Sequence, residues 1–422
     1  MAAASPAPAL PTPSGQEASV SAYHFQPSRL ASVDLLRGTV MVVMALDHTR
    51  RFFSGLHFPP EDLAHTSGPL FLTRWVTHFC APVFFLLAGA GAYLAVARGK
   101  PLAEVSRFLW TRGVWLVLLD FTVVGYAWTF VFPFVHGGVI WALGWSMIAM
   151  SVIVRLPIQW IALLGTGTIL THNLLDRVTP AAFGQLWWIW SMLHRSGTIW
   201  IGPSHSEFLV IFPILPWFGV MAVGYALGPV LLRQDRRKLL FLAGAVLTTA
   251  FFILRVFNLY GNSGRDAQAV LVDSAGPWSV QPSLVLTVVS FLNTLKFPPS
   301  LQFLLMTLGP SLVLLAWFDR IKSKGRMAGV LLVFGRVPLF YYVIHLFFIH
   351  TLAIWVALAL HQPAAWLLYG GFMLNPVPPG YGHGLPFIHA IWLITVFLLY
   401  FPCKWFMNLK QKHPGSWWLS YL

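Results

Sequence analysis

Ten apolar stretches, separated by short polar segments, set the pattern of this chain. About 20 consecutive apolar residues form a helix that crosses a bilayer core about 30 Å thick. The pattern therefore predicts an all-α, polytopic membrane helix bundle with about ten transmembrane helices. The predicted spans are 34–55, 75–97, 108–129, 138–154, 157–175, 208–232, 239–259, 299–318, 337–360 and 386–408.

Positively charged residues mark one side of the predicted bundle. They cluster after the second, sixth, eighth and last spans, whereas the loop 361–385 on the opposite side has no Lys or Arg. Cytoplasmic loops are enriched in these residues, so the pattern predicts that both termini are cytoplasmic. The clustered residues are Arg98, Lys100, Arg107, Arg233, Arg236, Arg237, Lys238, Arg320, Lys322, Lys324, Arg326, Lys404, Lys410 and Lys412.

Composition places the chain in the same class. Hydrophobic residues make up 57% and charged residues 9% of the 422 positions, which is too apolar for an ordinary soluble protein. The net charge of +14 lies in short loops and not on one continuous face, so it indicates topology and no nucleic-acid partner. Membrane lipids are the expected surroundings, and the sequence leaves a homodimer open.

The two ends and the two cysteines add little chemistry. Residues 1–28 are rich in Ala, Pro and Ser and lack the pattern of a secretory signal, so we expect a disordered tail. Residues 414–422 form a short Trp-rich tail. Cys80 and Cys403 have no metal-ligand spacing, so we expect neither a disulfide nor a metal site.

Ionisable residues inside the apolar spans are the strongest functional signal. Each costs about 2.5 to 3.5 kcal/mol at membrane depth, so such residues usually serve chemistry or transport. Asp47 and His48 lie near the outer end of the first span, and Arg74 and His78 begin the second on the same side. An ion pair between Asp47 and Arg51 is the structural alternative, but it leaves His48 unexplained.

Four residues further along the chain are expected on the same side. Arg255 ends the seventh span, Lys296 precedes the eighth, and His345 and His350 lie on the ninth. Together with Arg51 and Arg74 they are the predicted substrate-binding residues. A histidine in an apolar span more often makes a structural interhelical hydrogen bond, which is the alternative for His345 and His350. We also expect the first, second and ninth spans to pack together.

Two outer loops combine aromatic and charged residues. The loop 176–207 contains Trp187, Trp188 and His205, and the loop 260–297 contains Arg265. A sugar could stack on such aromatic rings and bind the charged groups. Interfacial re-entrant segments give the same composition, so both interpretations stay open.

Several segments in order resemble one family. Residues 29–38 resemble the opening signature Ser-x-Asp-x-x-Arg-Gly of the heparan-alpha-glucosaminide N-acetyltransferase catalytic-domain family, and residues 78–89 resemble its second helix. The resemblance is closest to bacterial members of unassigned substrate. For these it extends through 215–221, 296–301 and 334–341, which implies a bacterial cytoplasmic (inner) membrane protein.

The resemblance implies that residues 29–413 form a transmembrane acyltransferase domain. It would move an acetyl or other acyl group from cytoplasmic acyl-CoA to an extracytoplasmic sugar, or to another amine or hydroxyl. Acetyl-CoA or another acyl-CoA would be a co-substrate, with no cofactor tightly bound. In the lysosomal relative a histidine between the first two helices serves the transfer. Here Gly68 takes that position, so His65, His48 and His78 are the candidates.

The implied chemistry assigns roles to these residues. Neutral imidazole can act as a general base or carry the acyl group, and a carboxylate such as Asp47 can set its tautomer. Asp34, Arg37 and Arg336, at the cytoplasmic ends of the first and ninth spans, are the expected coenzyme A contacts. Arg37 and Arg336 could equally be topology anchors.

Two other functions stay open from the residues alone. A proton-coupled transporter of a small polar solute would use the same intramembrane Asp, His and Arg, although the sequence has no convincing internal repeat. A noncatalytic membrane assembly protein would not need polar residues on both sides. Turnover of labelled acetyl-CoA would support the enzyme, and solute flux without acyl transfer would support the transporter.

Overall fold

The computed structural model of the chain describes residues 30–201, 206–262, 275–321, 325–413 and 415–421. The tail predicted for 1–28 lies outside them. The chain is a multi-pass helical membrane bundle, and in the described part seven helices are long and apolar enough to span a bilayer. These are Gly68–Ala97, Leu102–Thr129, Ile214–Leu232, Arg236–Val256, Leu301–Phe318, Pro338–Ala359 and Leu385–Lys412.

A helix lies at each of the ten predicted spans. The three beyond the seven are Ala31–Phe53, which is long but carries several charges, and the shorter Val139–Ile153 and Ile158–Thr171. The number of helices that cross the bilayer and the side of the termini stay predictions.

The helices vary widely in length, and several short ones were not predicted. A 3₁₀ turn at Val76–Phe79 joins α2 to α3, and a π-helical turn at Asp120–Val124 joins α4 to α5. In chain order the helices are α1 (Ala31–Phe53), α2 (Gly68–Trp75), α3 (Cys80–Ala97), α4 (Leu102–Leu119), α5 (Gly125–Thr129), α6 (Val139–Ile153), α7 (Ile158–Thr171), α8 (Trp187–His194), α9 (Ile214–Ala226), α10 (Gly228–Leu232), α11 (Arg236–Val256), α12 (Leu284–Leu292), α13 (Leu301–Phe318), α14 (Arg326–Arg336), α15 (Pro338–Ala359), α16 (Ala365–Leu368), α17 (Gly371–Leu374), α18 (Leu385–Lys412) and α19 (Trp417–Tyr421).

A small sheet departs from the all-α prediction. In the described residues its strands are β1 (His136–Gly137), β2 (Gly197–Ile201) and β3 (Ser206–Val210). β3 is central, parallel to β1 and antiparallel to β2. The strands have two to five residues and lie between helices, so the periodicity of the long apolar spans gave no sign of them.

Helix α1 lies inside the bundle among α3, α13, α14, α15 and α18. Its closest neighbour is α14, because Gly38 of α1 and Gly335 of α14 bring the two backbones together. A Cβ at Gly38 would lie 1.9 Å from the carbonyl oxygen of Leu331, and one at Gly335 would lie 1.9 Å from that of Asp34. Larger residues would force the helices apart, so this contact fixes α1 in position.

Candidate active site

Two cavities enter the bundle from opposite ends of α1. The first, about 510 Å³, contains His48 and is called the His48 cavity; the second, about 770 Å³, contains Arg37 and Arg112 and is called the Arg112 cavity. Arg37 and His48 are eleven residues apart, or roughly 16 Å along the helix. Val139 and Tyr342 line both cavities, so the two meet at these side chains.

His48 is held by a second histidine from α15. Its Nδ1 lies 2.6 Å from Nε2 of His345, and Nδ1 of His345 lies 2.9 Å from the carbonyl oxygen of Tyr341. A carbonyl oxygen only accepts, so Nδ1 of His345 carries the hydrogen and its Nε2 accepts when the ring is neutral. His48 therefore donates from Nδ1, and its Nε2 keeps the lone pair.

Asp47 is occupied by arginines. Arg50 donates to Oδ1 at 2.9 Å, and Arg74 donates to Oδ2 at 2.8 Å. The expectation that Asp47 sets the tautomer of His48 is wrong, since His345 makes that contact. The physical reason is that adjacent helical residues do not face each other. Asp47 instead anchors the arginines beside His48.

Arg74 joins Asp47 to a residue that sequence reasoning missed. Its Nε donates to Oε1 of Glu61 at 2.7 Å, and both side chains are fully buried. Burial alone would raise the pKa of Glu61, but the guanidinium of Arg74 outweighs it and holds that pKa well below its usual range. This ionic chain ties the loop 54–67 to the bundle. The available signal was the acidic pair Glu61-Asp62 in the loop before the Arg-bearing second helix.

His78 lies outside both cavities. It is fully buried, with Nε2 3.5 Å from Oε1 of Glu61 and its ring 5.4 Å from that of Phe303. The 3₁₀ turn Val76–Phe79 directs this side chain towards α13. The expectation that His78 belongs to one site with His48 is therefore wrong: among the described residues His78 lines neither cavity and is connected to Asp47, the neighbour of His48, through Glu61 and Arg74.

His65 lies on the surface of the loop between α1 and α2. Its side chain is 63% exposed, and Nδ1 lies 2.5 Å from Oδ2 of Asp62. The hydrogen bond from His65 lowers the pKa of the Asp62 carboxyl. His65 lines neither cavity, so the structure does not place it with His48.

Besides Arg74, two of the predicted substrate-binding residues line the His48 cavity. Arg51 packs 5.7 Å from the centre of the Phe372 ring, and its Nε lies 3.9 Å from Asp47. Lys296 lies with its Nζ 5.1 Å from the ring centre of Phe297. Both cations are therefore placed to contact a ligand in the cavity.

Arg255 and His350 hold the backbone instead. Arg255 donates to the carbonyl oxygens of Ser290, Phe291 and Asn293, so it organises the turn after α12. The two ring nitrogens of His350 face the carbonyl oxygens of Ala127 and Leu367, each at 2.9 Å. Neither residue lines the two cavities, and the contacts of His350 match its structural alternative.

Further residues of the His48 cavity come from segments that the sequence did not single out. The ring of Trp128 stands edge-on to His48 at 4.7 Å, and His136 enters from β1. Burial lowers the pKa of His136 to about 4. The described residues of the aromatic loop 176–207 line neither cavity, although Phe212 just beyond the loop lines the His48 cavity. His205 and Arg265 lie outside the described residues.

The Arg112 cavity has a basic mouth and an apolar interior. Its depth follows α3 from Ala95 to Phe84, and at Gly91 an added Cβ would meet none of the described residues within 4 Å. Trp417 and Tyr421 of α19 also lie at its mouth. The basic lining residues are Arg37, Lys100, Arg107 and Arg112.

Of the three predicted coenzyme A contacts, Arg37 lines the Arg112 cavity. Its Nη1 lies 3.2 Å from Asp34 and 3.3 Å from the carbonyl oxygen of Gly335. Arg336 lies with its Nε 3.8 Å from the same carboxylate. Asp34 and Arg336 line neither cavity, so they support the contact between α1 and α14.

Comparison with known families gives one match. The model of the family described as heparan-alpha-glucosaminide N-acetyltransferase, catalytic, matches residues 29–256, which is more than half of the chain. No curated protein matches the chain. The matched segment includes His48, Glu61, Arg74 and Arg112, whereas α15 with His345 and the C-terminal helix α19 lie beyond it.

Proposed function

Because the chain belongs to the heparan-alpha-glucosaminide N-acetyltransferase catalytic family, which points to a membrane acetyltransferase-type function, we propose that it transfers an acyl group across the membrane. The donor is cytoplasmic acyl-CoA, such as acetyl-CoA. The acceptor is an extracytoplasmic sugar or another amine or hydroxyl. The observation that carries this proposal is the meeting of the two cavities at Val139 and Tyr342, next to His48.

The Arg112 cavity suits the donor. Guanidinium and ammonium groups at its mouth match the phosphates of coenzyme A. The apolar interior follows α3 for eleven residues, or roughly 16 Å, which accommodates an extended carrier arm ending in a thioester. The loop 98–101 at this mouth is one of the basic loops that the positive-inside rule assigns to the cytoplasm.

His48 would act as the general base. Its Nε2 accepts the proton of the acceptor amine or hydroxyl as that group attacks the thioester carbonyl. A carbon–nitrogen or carbon–oxygen bond forms, the carbon–sulfur bond breaks, and the proton passes from His48 to the departing thiolate. His345 positions the ring through its contact with Nδ1, and the carboxylate of Asp47 would offset part of the positive charge that the ring acquires. Arg51 and Lys296 would hold the acceptor.

The test is an assay of purified protein in liposomes. Labelled acetyl-CoA is supplied outside, glucosamine is enclosed, and acetylated product inside is counted; protein without acceptor is the control. Product that depends on His48 supports the proposal. Covalent label on His48 would show that the acyl group passes through an acyl-enzyme and is not transferred directly. Flux of glucosamine without acetylation would contradict the enzyme and favour the transporter.

A further inference from the structure

The C-terminal helix α19 is docked at the mouth of the Arg112 cavity. The hydroxyl of Tyr421 lies 2.6 Å from Oγ1 of Thr111, and its ring lies 5.9 Å from that of Phe108. Leu419 lies two residues before Tyr421 in α19 and is only 2% exposed. Its burial anchors α19 to the bundle. A helix that follows the last span is thus held against α4, where it contributes Trp417 to the cavity.

Trp417 offers a large aromatic surface at this mouth. Its side chain is 76% exposed although it lines the cavity, and the basic residues Arg107 and Arg112 line the same opening. Aromatic side chains stack on nucleic-acid bases whatever their identity, and guanidinium groups bind the attached phosphates. The combination of an exposed indole and a cationic rim therefore fits a nucleotide.

Trp418, the residue next to Trp417, distinguishes a nucleotide contact at Trp417 from a general membrane anchor. Trp418 is 46% exposed, belongs to the same helix, and lines neither of the two cavities. If both indoles served only to hold α19 at the membrane interface, they would be interchangeable. A nucleotide at the mouth would depend on Trp417 alone.

We propose that Trp417 stacks on the purine ring of the donor while the basic mouth holds its phosphates, so that α19 makes the protein selective for a nucleotide-bearing thioester. This proposal rests on the proposed function for the identity of the donor. It adds a specificity residue outside the segment 29–256 that matches the family.

Binding of adenosine 3′,5′-bisphosphate to the full-length protein tests the contact without any turnover. Trp417→Ala should weaken binding about 5- to 100-fold, the range that loss of one base–aromatic stack gives. Trp417→Phe should retain most of the affinity, and Trp418→Ala should leave it unchanged. Equal effects of the two alanine variants, or no effect of either, would overturn the proposal. Matched thermal unfolding curves show that both variants are folded.

Donor kinetics supply the second readout. Trp417→Ala should raise KM for acetyl-CoA by a similar factor and leave kcat/KM for S-acetylpantetheine, which lacks the nucleotide, unchanged. An equal loss with both donors would assign Trp417 a structural role and refute the inference. If no donor is turned over but the bisphosphate still binds through Trp417, the proposed function fails and the nucleotide site stands.

Discussion

The two cavities use their charges differently. In the His48 cavity the central charges are buried and held in ion pairs, an arrangement called the locked network below. Asp47 binds Arg50 and Arg74, and Arg74 also binds Glu61. In the Arg112 cavity the cations lie at the rim around an apolar interior. A locked network fixes a reacting group, whereas a cationic rim holds a ligand that arrives and leaves. Under the proposed function, the reaction would take place in the first cavity and the second would deliver the donor.

The largest expected effect is at the reacting group. His48→Ala should lower turnover roughly a hundred- to ten-thousandfold, since a positioned general base contributes that much. Adenosine 3′,5′-bisphosphate should bind as before, because the donor mouth is untouched. His65→Ala, at an exposed histidine, is the control and should keep full activity. An active His48→Ala variant together with an inactive His65→Ala variant would instead assign the general base to His65 in the loop.

Next in size is the locked network. Arg74→Gln should cost about 3 to 5 kcal/mol of unfolding free energy, because it leaves Asp47 and Glu61 buried without their shared cation. Thermal and denaturant unfolding in detergent measure this. Arg233→Gln removes an exposed pair with Asp235 and should leave the free energy of unfolding nearly unchanged. Equal losses for the two variants would show that the network is not locked.

The same variant should reverse a pH dependence. In the wild-type chain the lowered pKa of Glu61 means that its ionised form adds stability above the unfolded pKa, and this is lost as the pH falls through the folded pKa. Without Arg74, burial remains as the largest influence on Glu61 and should raise its pKa. The stability of Arg74→Gln should therefore fall as the pH rises from 4 towards neutrality, as unfolding curves at several pH values would show.

Two glycines of α3 test whether the donor occupies the Arg112 cavity. Gly91 faces open space in the Arg112 cavity, so Gly91→Leu should leave unfolding unchanged while raising KM for acetyl-CoA about tenfold. Gly89, two residues earlier, packs with its Cβ position 1.9 Å from the carbonyl oxygen of Met221. Gly89→Leu should therefore destabilise the fold by about 1 to 3 kcal/mol or more. A stable Gly91→Leu with unchanged KM would exclude the donor from this cavity.

The smallest effect should come from the partly exposed cation beside His48. Arg51 is not locked by a short ion pair, so Arg51→Gln should raise KM for the acceptor about two- to tenfold and leave kcat unchanged. Steady-state kinetics with varied acceptor would measure it, with Arg233→Gln as the control. A loss in kcat alone would place Arg51 at the reacting carbonyl.

The sequence was sufficient for the helices but not for the contacts between them. Ten apolar spans each correspond to a helix, since length and hydropathy are local properties. Asp47, His48, Arg51 and Arg74 were recognised because charge inside an apolar span is also visible locally. Their partners were not, because the atoms that fix His48 belong to His345, 297 residues away. The rule that adjacent helical side chains diverge could have corrected the role of Asp47.

Other features of the site could not be predicted from the pattern of hydrophobic and polar residues. The short strand β1 that carries His136 is too brief for period-two alternation. Tyr342 resembles any other aromatic residue of an apolar helix until the two cavities are seen to share it. His78 shows the opposite error, because its position at the start of the second span indicated a cavity residue, whereas the 3₁₀ turn directs it into the core.

The position of Val139 and Tyr342, which line both cavities, has an electrical consequence. A transmembrane voltage falls mainly across the thinnest insulating layer, and moving one elementary charge through all of it is worth about 2.3 kcal/mol per 100 mV. In the proposed reaction, a proton that reaches His48 beside these two side chains would cross part of that drop. The barrier to acyl transfer would therefore contain a voltage-dependent part, which couples the rate to the energised state of the membrane.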